Sequence, residues 1–117
     1  MSAANLDLEC ARLGEQLGNQ ADDKTLTDAL SVLEEQGVYA FFLFLAQKNE
    51  RRGVTRSCRT FLEKLLPGAF GSQNDEFRTT QDIATDIDKL LLARDLLRHS
   101  LIYGRYHAKA GGKGAER

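Results

Sequence analysis

Four arginines, Arg51, Arg52, Arg56 and Arg59, lie within nine residues around Gly53. Four further bases, Arg94, Arg98, Arg105 and Lys109, recur at helical spacing nearer the C-terminus. On a wheel turning about 100° per residue, this second group falls within about 60° of arc. A guanidinium is a planar fork of donors that fits phosphate oxygens. Like charges at i, i+4 repel by roughly tenths of a kcal/mol unless an anion relieves them. A phosphodiester backbone would do so and would release counterions as it bound. Carboxylates on a neighbouring helix would do so equally well, and the residue types alone leave both open. Tyr103 and Tyr106 lie beside the second group, placed either to stack on bases or to serve as ordinary core or interface aromatics.

Other chemistry is not spelled out. His99 and His107 stand eight residues apart, a poor spacing for one metal on a helix, and no HExxH, CxxC or EF-hand loop occurs. Cys10 and Cys58 fall on apolar faces, where a thiol is an inert core group. Gly111-Gly112-Lys113-Gly114 has no strand before it and so lacks the context of a phosphate loop. Asp82, Asp86 and Asp88 suit the start of a helix better than a metal site. The expectation is a protein without catalytic residues, metal or cofactor.

The elements that must position the bases follow from composition and period. The chain has 117 residues, 42% apolar and 28% charged, which fits one globular domain. A single proline and the absence of Asn-Gly and Asp-Gly argue against hairpins. The longest apolar run, Val38 to Ala46, is about half of a membrane span, and Met1 to Asn5 carries no basic start to a secretory signal. Two cysteines make no disulfide framework. A cytoplasmic location is expected. The net charge of −1 conceals blocks of −6 over 1–37, +4 over 38–66, −3 over 67–93 and +4 over 94–117. Such segregation gives a polar body with one side suited to a polyanion, or helices that support one another by opposite charge.

The periodicity predicts an all-α fold, a compact bundle of about five helices with a long C-terminal one, in a single domain over 1–109 with a flexible tail over 110–117. The first segment, roughly 5–18, aligns Leu6, Cys10, Leu13 and Leu17 and stops at Gly18-Asn19. The second, roughly 26–36, opens on a capping-box spacing at Thr25 and closes on Gly37. The third, from Val38 to about Arg51, is apolar around its whole circumference over Val38–Ala46. That pattern places it at the centre of the bundle, with Gly53 as its stop. The fourth, roughly 55–66, shares Cys58, Phe61, Leu62 and Leu65 on one face. A loop over 67–78 carries Phe70 and Phe77. The fifth starts near Thr79 or Thr80 and runs to about Lys109, with a bend or break expected at Gly104. Its core stripe holds Ile83, Ile87, Leu90, Leu97, Leu101, Gly104 and Ala108. Leu92, Leu96 and Tyr103 point away from that stripe, either toward a neighbouring subunit or under the first helix or the long loop of the same molecule.

Two stretches, Leu33-Glu34-Glu35-Gln36-Gly37-Val38-Tyr39-Ala40-Phe41-Phe42-Leu43-Phe44-Leu45-Ala46-Gln47-Lys48 and Leu90 to Ala110, give the chain a pattern that resembles the small subunit of type III CRISPR–Cas effector complexes. The resemblance covers about a third of the chain and rests on size, helicity and pattern. It implies a non-catalytic all-α subunit whose copies stack as a filament inside a ribonucleoprotein and touch the guide or target strand through backbone phosphates. Other effector subunits and copies of the chain would be its partners. The bases Arg51, Arg52, Arg56, Arg59, Arg94, Arg98, Arg105 and Lys109 would make the nucleic-acid contacts, and Leu92, Leu96 and Tyr103 the subunit contacts. Reversing Arg98 and Arg105 to glutamate would then abolish binding. The net charge departs from the basic balance of a nucleic-acid binder and favours a scaffold. A helical protein–protein adaptor, or a homo-oligomer without nucleic acid, is the competing expectation.

Overall fold

The computed structural model describes residues 3–65 and 87–110, all-α among those residues. Five helices follow in order: α1 (Ala3–Gln20), α2 (Asp23–Gln36), α3 (Val38–Ala46), α4 (Arg52–Leu65) and α5 (Ile87–Ala110). A single 3-10 turn, Asn49–Arg51, joins α3 to α4. The loop expected over 67–78, with Phe70 and Phe77, lies outside the described residues. So do the helix start at Thr79 or Thr80, the Ile83 position and the tail beyond Ala110. No helix among the described residues is long and apolar enough to cross a membrane.

Local chemistry explains most helix ends, and not always at the residues expected. The cap of α2 is Asp22, not Thr25: its carboxylate accepts the Thr25 backbone N–H at 2.8 Å. A carboxylate at the positive end of a helix outcompetes a hydroxyl one turn further in. Hydrogen bonding from the Thr25 side chain, and then from its backbone N–H, holds the Asp22 carboxyl below its ordinary value. A lowered folded value means this stabilisation is present above about pH 4 and is lost as pH falls through it. Asp22→Ala is expected to cost about 1 kcal/mol at neutral pH. That difference should shrink toward pH 3, as read from thermal melts of both proteins across about pH 7 to pH 3. Gly37 closes α2 and opens α3 at φ +98°, a left-handed conformation that disfavours any side chain, with its N–H donating to the Leu33 carbonyl.

The third helix ends at Ala46, five residues earlier than the pattern suggests, and Gly53 lies inside α4 instead of stopping the helix before it. Lys48 is extended, so the chain breaks there and turns before resuming. The apolar circumference of α3 is not fully enclosed either. Val38, Phe41, Phe42 and Leu45 are buried, but Tyr39 is 42% and Leu43 41% exposed. A helix about 14 Å long cannot span the bundle. The central place goes to α5, which is long enough, at about 36 Å, to line both α1 and α2.

The helix α5 runs without a break through Gly104, antiparallel to α2 and parallel to α1. Its core stripe is as read: Leu97, Leu101 and Ala108 are buried against Leu13, Leu17, Leu26 and Leu33. Phe41 and Phe42 meet edge to face at 5.2 Å. The flank of α5 that carries Leu96 and Tyr103 is covered by α1, within the same molecule, while Asp95, His99 and Tyr106 on the far side stay exposed. Leu96, expected either at a subunit contact or under another part of the same molecule, is 6% exposed, and its carbonyl accepts the Cys10 thiol of α1 at 3.5 Å. Tyr103 is half-buried and donates its hydroxyl to Asp7 at 2.7 Å. Leu92 alone of the three stays open, at 40%. Two apolar faces on one helix here mean a helix held between two others.

Glycines set how closely α1 and α5 approach. A Cβ on Gly14 would stand 2.4 Å from the Tyr103 Cβ and 2.9 Å from the Gly104 nitrogen. One on Gly18 would stand 2.6 Å from the His107 Cβ and 3.0 Å from the Gly104 carbonyl. Both positions are buried, and α1 passes through Gly18 to end at Gln20. The pair expected to stop the helix therefore contains one of its packing residues.

Candidate polyanion-binding groove

The break at Lys48 and the restart at Arg52 leave a groove of about 390 Å³ between the end of α3 and the first turns of α4. Phe42 and Leu45 form its floor, and Lys48, Arg52, Arg56 and Arg59 line its walls. Lys48, Arg52 and Arg56 are exposed and make no ion pair among the described residues. Arg59 is less open and pairs with Glu63 at 3.3 Å. The charges reinforce one another. Helix α4 has no acid in its first turn, and Arg52 sits at the positive end of the helix dipole with Arg56 one turn further in. They also face each other at i, i+4. Bases at that end are locally unfavourable, and an anion entering the groove would relieve both effects.

On its other side Arg56 borders a second hollow of about 420 Å³ between α1 and α4, shared with Glu9, Arg12 and Lys64. There Glu9 pairs with Arg12 at 3.6 Å and Lys64 at 3.0 Å, so that part of the face is internally balanced.

The C-terminal row of bases is divided. Arg98 donates from Nε to Glu34 at 3.0 Å, and Arg105 to Asp23 at 3.4 Å, both on α2. This is the mutual support of oppositely charged helices that the sequence also allows. Arg94 and Lys109 are exposed and carry no ion pair among the described residues. The eight bases therefore do not form one surface. Arg52, Arg56 and Arg59 share the groove; Arg51 faces a separate hollow of about 270 Å³ with Gln20, Asp22 and Glu50. Lys48 is the groove residue that neither arginine count nor wheel singles out. Its signal is its place at the broken end of an apolar helix.

The thiols match the sequence reading. Cys58 is fully buried and burial pushes its thiol up to about 12, while burial also raises Cys10. Both are protonated and shielded at neutral pH. Among the described residues no group of three His, Cys, Asp or Glu side chains could hold a metal ion.

Fold and groove together define the class: an all-α fold, with five helices among the described residues and a cationic groove at one helix junction. No protein-family model, curated protein or solved structure matches the chain.

Proposed function

We propose that this protein is a non-catalytic, cytoplasmic small subunit of an RNA-guided ribonucleoprotein of the type III CRISPR–Cas kind, and that it contacts the backbone of a guide or target strand. The observation that carries the reading is the groove at the α3–α4 junction. Three bases there, Lys48, Arg52 and Arg56, have no carboxylate partner among the described residues, and a helix N-terminus adds to their field. The pattern of Leu33–Lys48 and Leu90–Ala110 supports the family assignment. On this reading copies of the chain and larger subunits are its partners, and Leu92, with Leu91 beside it, is an exposed apolar patch on α5 available to them.

The test is direct binding of a labelled single-stranded RNA oligonucleotide to the full chain over a range of salt. For about three phosphate contacts, log K should fall against log salt with a slope near −2. Binding that ignores salt, or none at low salt, would refute the nucleic-acid reading.

The second reading, a helical adaptor or homo-oligomeric scaffold without nucleic acid, is favoured by a different observation. Arg98 and Arg105 are spoken for by α2, while Leu8, Tyr39, Leu43, Leu91 and Leu92 remain open to solvent. Self-association that persists at high salt, without RNA binding, would select it.

A further inference from the structure

We propose that Arg51 is the positioning residue of the groove: it locks the turn between α3 and α4 and so holds Lys48 and Arg52 at the groove's edge, without meeting the bound anion itself. The inference rests on the nucleic-acid reading above and adds a residue role to that site.

Arg51 differs from Arg52 and Arg56 in the contacts of its side chain. Its Nη1 donates to the Phe44 carbonyl at 2.8 Å, and its guanidinium carbon lies 4.2 Å above the Phe44 ring. Its backbone N–H donates to the Lys48 carbonyl at 3.0 Å, and its own carbonyl accepts the Thr55 hydroxyl at 3.3 Å. One residue therefore ties together α3, the turn and α4. The Phe44 carbonyl belongs to the last turn of α3, where no intrahelical donor is available. Gln47 N–H reaches it only at 3.3 Å, so the shorter bond comes from Arg51.

The turn needs such a tie. Asn49–Arg51 is three residues of 3-10 helix, too short to hold itself, and Lys48 before it is extended. The positions of Lys48 and Arg52 depend on that turn, because one precedes it and the other follows it. Arg51 also faces away from the groove: it lines the hollow that contains Asp22 and Glu50, and only Lys48, on the rim between them, borders both. Its planar group makes both the stacking contact and the bond to a carbonyl, a combination that a lysine ammonium does not reproduce.

The experiment compares the full-length protein with Arg51→Lys and Arg52→Ala. The probe is a short fluorescein-labelled oligouridylate. Binding is followed by anisotropy over a salt series, at a temperature where each variant has the circular dichroism of the wild type. Amide hydrogen exchange over residues 47–53 is measured in parallel. Arg51→Lys keeps the charge and is expected to speed exchange in the turn. It should weaken binding about 3- to 10-fold, because the turn must then be ordered on binding, and leave the salt slope unchanged. Arg52→Ala is expected to lower the slope by about 0.7 and leave exchange in the turn unchanged. Wild-type affinity in Arg51→Lys, or unchanged exchange, overturns the proposal while leaving the groove intact. A reduced slope in Arg51→Lys also overturns it, since that marks a direct phosphate contact. If the wild type itself does not bind the probe, the reading of the groove fails, and this inference fails with it.

Discussion

Gly14→Ala is expected to destabilise the protein by about 2 kcal/mol, although alanine is the better helix former. The added methyl would stand 2.4 Å from the Tyr103 Cβ and 3.0 Å from the Ser100 carbonyl, neither of which is the free end of a flexible side chain. The helices α1 and α5 must separate to admit it; overpacking costs about 1–3 kcal/mol, and a 2.4 Å approach belongs at the upper end, about 3 kcal/mol. The intrinsic gain of alanine over glycine in a helix offsets about 1 kcal/mol. Gly18→Ala meets the His107 Cβ at 2.6 Å and should behave alike. The double variant should lose less than the sum, because one displacement of α1 relieves both clashes. Gly53→Ala is the control. Its nearest neighbour would be a Gln20 side-chain carbon at 3.6 Å, so it should gain about 0.5–1 kcal/mol. Thermal melts of the three single variants decide the matter. Gly14→Ala should melt roughly 10 °C below the wild type and Gly53→Ala a few degrees above it. Equal melting temperatures for Gly14→Ala and the wild type would refute the close crossing.

The second large effect concerns charge. Arg52→Glu combined with Arg56→Glu is expected to weaken RNA binding on the order of 30- to 100-fold at about 0.1 M salt, because two phosphate contacts go and two repulsions replace them. Arg98→Glu combined with Arg105→Glu is expected to change binding less than about 3-fold, because those guanidiniums already face Glu34 and Asp23. Its cost should appear in stability instead. Half-exposed ion pairs are each worth about 0.2–1 kcal/mol, and the reversal sets like charges against each other. Anisotropy titrations with one RNA oligonucleotide, beside melts of both variants, separate these outcomes. Loss of binding in the α5 pair and none in the α4 pair would move the site to the C-terminal row.

The stripe of Leu97, Leu101 and Ala108, and that of Cys10, Leu13 and Leu17, were legible because a helical face repeats every three to four residues and needs no knowledge of its partner. The Gly37 corner was legible for the same reason: a left-handed residue between two apolar runs is a local matter. The roles of Gly18 and Gly104 were not. A glycine within a helix reads as a stop or a bend, and it becomes a packing residue only when a second helix crosses there. The spacing Gly14–Gly18 on α1, answered by Gly104–Ala108 on α5, was the available signal. The wheel left two covers open for Leu96 for a related cause, since it shows which residues share a face but not which helix covers it.

The amino-acid order by itself determined that this protein is helical, roughly where its helices lie, which stripes are apolar and that both thiols belong inside. These follow from interactions within a turn or two of the chain. The tertiary structure alone decided which arginines are paired, by setting α2 against α5 so that Glu34 and Asp23 reach Arg98 and Arg105 while Arg52 and Arg56 have no carboxylate partner among the described residues. Arg98 is 64 residues from its partner and Arg105 is 82 from its own, so no local pattern records the pairing. Electrostatic neutralisation depends on distance in space, and only the packed helices set that distance.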